Sequence, residues 1–395
     1  MASFFFDKSR NSWTCQYKDP DSGKYKAQRI DDKAEPFKRK KDAQQWYHLS
    51  GYDIEAGNVK DTGNMSVGEW LTDWHSSYCA EQNLEPNTRR CIYGYIEKHI
   101  KPEIGDVRLA DVKPHHIRKM LTALLEKKKP SKNPDKAVPL KLSTVRQIYQ
   151  WFRVAMAQAV EDDMIRKNPC LKVKAPIAAE EKPNYCTAEQ IQAMIRKMEG
   201  TRFYMPIYLC IMLGLRRGEA LALKWDDIEG TTAHIRMQIA VESEYDAQQK
   251  KYIRKVSLKK PKTNRSVRDL EIPPDLLAAL HKHRKRQLED KLKLGDLYID
   301  EGFICADEGG GYLSPDSTTV AARNFLKAVG AKDGTHLHDL RHTFGTLTYQ
   351  AGYPIDVVAD LLGDTIAAAQ KYYIGEDSKK KRDAALTVNE LFKVK

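Results

Sequence analysis

Between His336 and Tyr373 the chain gathers three of its eleven histidines, the arginine Arg341 and the tyrosine pair Tyr372-Tyr373. His338 and Arg341 lie three residues apart, so on a helix they share one face and both can reach a single anion. A phosphate suits them. Arginine offers a planar fork matched to its oxygens, and a tyrosine hydroxyl can attack phosphorus and stay bonded to it. Taken singly, each of these side chains is an ordinary half-buried residue. Their grouping is what points to chemistry.

The segment His338-Asp-Leu-Arg341-His-Thr, followed by Leu361-Leu362-Gly363 and then a tyrosine, resembles the second half of the active site of tyrosine recombinases, the integrases of phages and conjugative transposons. The resemblance demands an arginine and a lysine upstream. Gly214-Leu215-Arg216-Arg217-Gly218-Glu219-Ala220-Leu221 matches the family's first arginine motif, with Arg216 in the catalytic place. Arg217 beside it would point about 100° away on a helix. Residues 250–268 hold nine Lys/Arg and no acid. Within them, Pro261-Lys262-Thr-Asn-Arg265-Ser266-Val-Arg268 resembles the hairpin that carries the family's catalytic lysine, here Lys262.

The resemblance implies a tyrosine that forms a 3′-phosphotyrosine, Arg216 and Arg341 as charge stabilisers, Lys262 as general acid and His338 as the proton partner of the tyrosine. It implies no cofactor, metal or ATP. Counting nine residues from position 364, as the family's spacing requires, gives Tyr373 as nucleophile, with Tyr372 the alternative. One position departs from the pattern: Asp364 stands where the family usually has His or Trp. A bare carboxylate repels a phosphate, so Asp364 is expected to act by orienting Arg341 or His338.

At 395 residues the chain is long enough for two or three domains. Its net charge of +12 favours a polyanionic partner. Seven scattered cysteines without CxxC or metal spacing suggest reduced thiols in the cytoplasm. The longest apolar run, residues 204–215, is too short to span a membrane and reads as a buried core helix. The glycines 309–311 lack GxGxxG spacing, and no GxxxxGK[ST] or HExxH occurs.

Three domains are expected, giving a multidomain fold. Residues 1–58 read as a small three-stranded β-sheet with a helix behind it, carrying Lys38, Arg39 and Lys40 toward DNA. Its layout resembles the family's arm-type DNA-binding domain. Residues 64–170 read as four helices, opened by the capping box Ser66-Val-Gly-Glu69, with the second helix stopping near Pro102 and Gly105, and resemble the core-binding domain. Residues 184–395 read as a mixed α+β, mostly helical catalytic domain starting at a second capping box, Thr187-Ala-Glu-Gln190. Lys259, Lys260, Arg265 and Arg268 are its expected DNA contacts, and its tail, 384–392, reads as an amphipathic helix that either folds onto its own domain or, as is common in this family, docks on a neighbouring subunit. The implied partners are double-stranded DNA at specific recombination sites, three further copies of the chain in a homotetramer, and accessory bending or directionality proteins. Competing readings are a DNA-binding regulator with a degenerate site, a metal-dependent transposase and a type IB topoisomerase.

Overall fold

The computed structural model describes residues 3–18, 24–29, 35–49, 65–128, 138–177, 184–246, 251–261 and 263–373. The chain divides into two units, residues 1–179 and 180–395. The linker at 57–63, the basic loop at 129–137 and the tail beyond Tyr373 lie outside the described residues.

In the first unit, strands β1 (Ser3–Asp7), β2 (Ser12–Lys18) and β3 (Tyr25–Gln28) form an antiparallel sheet in that order. Alternation along β2 places Cys15 and Tyr17 on the face covered by helix α1 (Lys40–Leu49), where they pack with Phe37, Ala43 and Tyr47. Beyond it comes a helical bundle. Helix α2 (Val67–Glu81) begins at Ser66, whose hydroxyl takes the Glu69 N–H at 3.2 Å while the Glu69 carboxylate takes the Ser66 N–H at 2.8 Å. Its Trp70 and Trp74 are buried, and the Trp70 indole donates to the Ala155 carbonyl of a later helix at 3.2 Å.

The helical run that begins with α3 (Pro86–Tyr95) stops near Pro102 and Gly105, as expected. It passes through a π-helical turn (Ile96–Ile100) into α4 (Lys101–Ile104). A helical proline leaves the carbonyl four residues back without its N–H. Here that carbonyl, on Lys98, accepts from Lys127 Nζ at 2.8 Å, and Pro102 sits in the first turn of α4, where a missing N–H is tolerated. Helices α5 (Pro114–Glu126) and α6 (Leu142–Glu161) complete the bundle around Trp74, Ile92, Ile117, Leu124, Ile148 and Phe152.

The second unit opens with α7 (Ala188–Met198), whose cap pairs Thr187 and Gln190 at 3.0 and 3.3 Å. Next comes α8 (Tyr204–Met212), buried on nearly every side as its composition requires. A bend leads to α9 (Arg217–Ala222). Strands β4 (Ile228–Glu229), β5 (Thr232–Ile235) and β8 (Arg268–Glu271) make one antiparallel sheet. The hairpin β6 (Gln238–Asp246) and β7 (Lys251–Lys259) is inserted between β5 and β8. Helices α10 (Pro274–Leu294), α11 (Pro315–Ala328), α12 (Leu337–Gln350), α13 (Ile355–Leu362) and α14 (Ile366–Tyr373) follow. No helix among the described residues is long and apolar enough to cross a membrane.

Gly214, in the bend between α8 and α9, has φ of 61°. A Cβ there would lie 2.7 Å from Phe344 on α12 and 2.8 Å from Leu362 on α13. Only glycine lets the three segments meet so closely. Gly214→Ala is therefore expected to destabilise the catalytic unit by about 1–3 kcal/mol, measured by urea unfolding of the full chain.

Candidate active site

Arg216 is the N-cap residue of α9, held by one partner: its N–H and its guanidinium both donate to the Glu219 carboxylate, at 3.0 and 2.7 Å. The same guanidinium lies 3.4 Å from the Ser266 hydroxyl, and its Nη2 donates to Asp364 Oδ1 at 2.6 Å. Arg341 comes from the first turns of α12 and is 2 % exposed. Its Nη1 donates to the Gly214 carbonyl at 2.9 Å; its Nη2 donates to the Leu362 carbonyl and, at 2.8 Å, to Asp364 Oδ2. One carboxylate thus takes a hydrogen bond from each arginine, one per oxygen. The two arginines of the sequence motifs, 125 residues apart, converge on a single anion.

Asp364 owes its place to the end of α13. Gly363 there adopts the left-handed conformation, with φ of 63°, and the Asp364 N–H closes the cap on the Ala359 carbonyl at 2.9 Å. The carboxylate pairs with Arg216 as well as Arg341 and makes no bond to His338, so of the two partners expected for it only Arg341 is found.

Beneath this pair lies Glu219, 2 % exposed, which also accepts from Arg268 Nη2 at 3.1 Å. Burial pushes its carboxyl up, but the charges of Arg268 and Arg216 and their hydrogen bonds outweigh it and hold the group below the usual carboxylate range. Arg268 is a correction to the sequence reading. Expected as a DNA contact, it has a side chain only 7 % exposed and spends its guanidinium on Glu219, the Leu361 carbonyl (2.8 Å) and the Ser266 carbonyl (3.0 Å). A buried carboxylate needs close cations, and Arg268 supplies one. Glu219 was given no role from sequence; its spacing of three from Arg216 at a helix start was the available signal.

His338 stands on α12, part of its surface exposed and its imidazole covered on one side by His342. Desolvation of the imidazole, followed by the neighbouring His342 ring and the charges of Arg341 and Arg216, brings its pKa down to about 4. The imidazole is therefore neutral at pH 7. His342 meets it edge-to-face at 4.9 Å between ring centroids, and the Tyr372 ring lies 5.2 Å from His342. His336, the remaining member of the trio, is used to cap α12 through Asp339. Lys262 and the side chain of Tyr373 lie outside the described residues.

The other expected DNA contacts are scattered. Lys38, Lys260 and Arg265 are exposed. Arg39 is exposed but paired with Asp42 at 2.9 Å, Lys40 sits 6.0 Å from the Trp13 ring, and Lys259 pairs with Glu242 across the β6–β7 hairpin.

Comparison with known proteins matches residues 184–379 to the phage integrase family and residues 66–125 to the N-terminal SAM-like domain of phage integrases. A protein of Caldanaerobacter subterraneus subsp. tengcongensis described as a tyrosine recombinase XerC-like protein is 26 % identical over 371 residues, 90 % of either chain. The integrase of Mycobacterium phage L5 is 24 % identical, covering 78 % of this chain and 76 % of its own. Among solved structures, the Tn1549 transposon integrase in complex with a circular intermediate DNA superposes with a TM-score of 0.63 at 18 % identity, over 82 % of this chain and 99 % of that one. A lambda integrase tetramer bound to a Holliday junction gives 0.55 at 17 %, over 94 % of each. The fold is the one these integrases share. The chain belongs to the phage integrase family of tyrosine recombinases, enzymes that cut and rejoin DNA.

Two outcomes follow, one from the buried ion pair of Glu219 and Arg268 and one from the lowered pKa of His338. Glu219→Gln keeps the shape but leaves Arg268 buried without its anion, and is expected to cost about 3–5 kcal/mol in chemical unfolding. His338 has a folded pKa below its unfolded value, so the unfolded chain binds the extra proton between pH 6.5 and about 4. Its contribution to stability is lost as pH falls through that window, and His338→Gln should flatten the stability profile there.

Proposed function

We propose that this enzyme acts as a site-specific integrase, cutting and rejoining DNA through a covalent bond to a tyrosine of the pair Tyr372-Tyr373. The observation that carries the assignment of the site is the convergence of Arg216 and Arg341 on one carboxylate, the arrangement that two oxygens of a phosphodiester also require.

In this mechanism the tyrosine oxygen attacks phosphorus and the bond to the 5′-oxygen breaks. Lys262 gives its proton to that departing oxygen. Negative charge spreading over the non-bridging oxygens is met by the two guanidiniums, already held in place by Glu219, Gly214 and Leu362. His338, neutral and with no hydrogen bond among the described residues, shares the tyrosine's proton, and an arriving phosphate raises its pKa from about 4 toward working range. Attack by a 5′-hydroxyl on the phosphotyrosine reverses these steps and returns the proton to Lys262. The number of phosphodiester bonds is unchanged, which is why no ATP enters.

Spacing selects Tyr373 as nucleophile. One observation favours Tyr372: its ring rests against His342, which in turn meets His338. Neighbouring helical residues diverge by about 100°, so one of the two is in line and the other is not.

Recombination joins two duplexes, and we read the working form as a homotetramer on paired sites in the cytoplasm, with accessory proteins setting direction. The lambda integrase neighbour, a tetramer on a Holliday junction, supports that reading. The tail, 384–392, which lies outside the described residues, is assigned to docking between protomers.

The test is covalent trapping in EDTA, with nicked duplexes tiling the ends of the element that carries this gene, and wild type, Tyr372→Phe and Tyr373→Phe. The expected result is a protein–DNA adduct in wild type that one of the two variants abolishes. Tight binding with no adduct in any sample contradicts the mechanism. Adduct formation should also weaken steeply with salt, as phosphate contacts by Lys and Arg dictate.

A further inference from the structure

Asp364 sits where a phosphate would have to bind. Its two oxygens bridge Arg216 Nη2 and Arg341 Nη2 at 2.6 and 2.8 Å. Two carboxylate oxygens span nearly the same gap as two non-bridging phosphate oxygens, which is why arginine forks accept either group.

The hydrogen-bond capacity of the arginines sharpens the point. Arg341 Nη2 has both hydrogens committed, one to the Leu362 carbonyl and one to Asp364, and its Nη1 already serves Gly214. Arg216 Nη1 is engaged by Glu219 and Ser266. A phosphodiester that seeks both Nη2 groups must take the hydrogen bond Asp364 holds. Charge leads to the same conclusion. Glu219 cancels one of the three guanidinium charges of Arg216, Arg268 and Arg341, and Asp364 cancels another. A site that must bind a phosphodiester anion and stabilise the further charge that builds up as the tyrosine attacks is left with one net positive charge while Asp364 stays.

Asp364 can leave. Its backbone is pinned by the Gly363 cap, but its side chain is 23 % exposed, and among the described residues its carboxylate bonds only the two guanidiniums. Rotation about its own side-chain bonds carries it to solvent without disturbing α13.

We propose that Asp364 is an internal stand-in for the scissile phosphate, an anion that fills the seat between Arg216 and Arg341 in the DNA-free enzyme and is displaced when a phosphodiester enters. The proposal rests on the reading of these arginines as phosphate ligands. It explains how the guanidinium pair, Arg341 buried and Arg216 partly so, stays compensated without DNA, and it keeps free inorganic phosphate from occupying the site. In this role Asp364 opposes binding. A residue that only orients the arginines would assist it.

The probe is inorganic phosphate, titrated against full-length wild type and Asp364→Asn at constant ionic strength with thermal unfolding as the readout. Asp364→Asn should start less stable and be stabilised by phosphate, with apparent affinity about tenfold or more above wild type, because one adjacent negative charge is gone. Asp364→Ser, smaller and equally neutral, should show the same gain. Adding Arg216→Ala to Asp364→Asn should abolish it, which locates the effect. Equal phosphate affinity in wild type and both neutral variants overturns the stand-in. Adduct formation on nicked duplex, run in parallel, separates the two readings: a gain in phosphate affinity with no adduct from any protein sinks the recombinase mechanism alone, whereas wild-type adduct with unchanged phosphate affinity sinks the stand-in alone.

Discussion

The catalytic unit is organised around a concentration of positive charge that has to be kept both buried and useful. Arg216, Arg268 and Arg341 lie within reach of two carboxylates, Glu219 and Asp364. Guanidinium groups repel one another at such range, and desolvation adds to the cost, as the depressed pKa of Arg341 reflects through burial first and Arg216 second. Glu219 meets this cost permanently from below. Asp364 meets it from the solvent side, where a substrate can compete.

The surrounding fold makes sense as the means of holding those charges. The bend at Gly214 turns the chain from the apolar helix α8 into α9, which points a carbonyl at Arg341 and sets Arg216 at a helix start. The left-handed Gly363 does the same service at the end of α13, and a side chain there would strike the Arg265 carbonyl at 2.7 Å. Helix α13 is thereby locked to the strand that carries Arg268, since the Leu361 carbonyl accepts from that side chain. Preorganisation of this kind is what lets an enzyme stabilise charge without reorganising at the moment of reaction.

What the sequence made legible was local. Both capping boxes, Ser66 with Glu69 and Thr187 with Gln190, form as expected because each pairs residues three apart, and the β2 alternation puts Cys15 and Tyr17 inside. The two arginine motifs were readable for the same reason. The misses share a different cause. The end of the second bundle helix near Pro102 and Gly105 was legible, but the π-helical turn ahead of it and the Lys127 side chain that takes the orphaned Lys98 carbonyl from 29 residues away were not. Arg268 turns inward because its partner Glu219 lies 49 residues earlier, and Asp364 reaches Arg216 across 148. Periodicity carries no information about such pairs. The odd residue at 364 was visible in the sequence, but that it joins both arginines at once needed the fold.

The central claim is that Arg216 acts on the negative charge of a transferring phosphoryl group, and substrate charge tests it most directly. Single-turnover cleavage would be measured with wild type and Arg216→Ala on a nicked duplex whose scissile phosphate is either native or a neutral methylphosphonate. The account predicts that Arg216→Ala loses about a hundredfold or more on the native linkage and recovers much of that loss on the neutral one. An equal defect on both linkages would contradict it, because the arginine would then be serving the structure and not the charge.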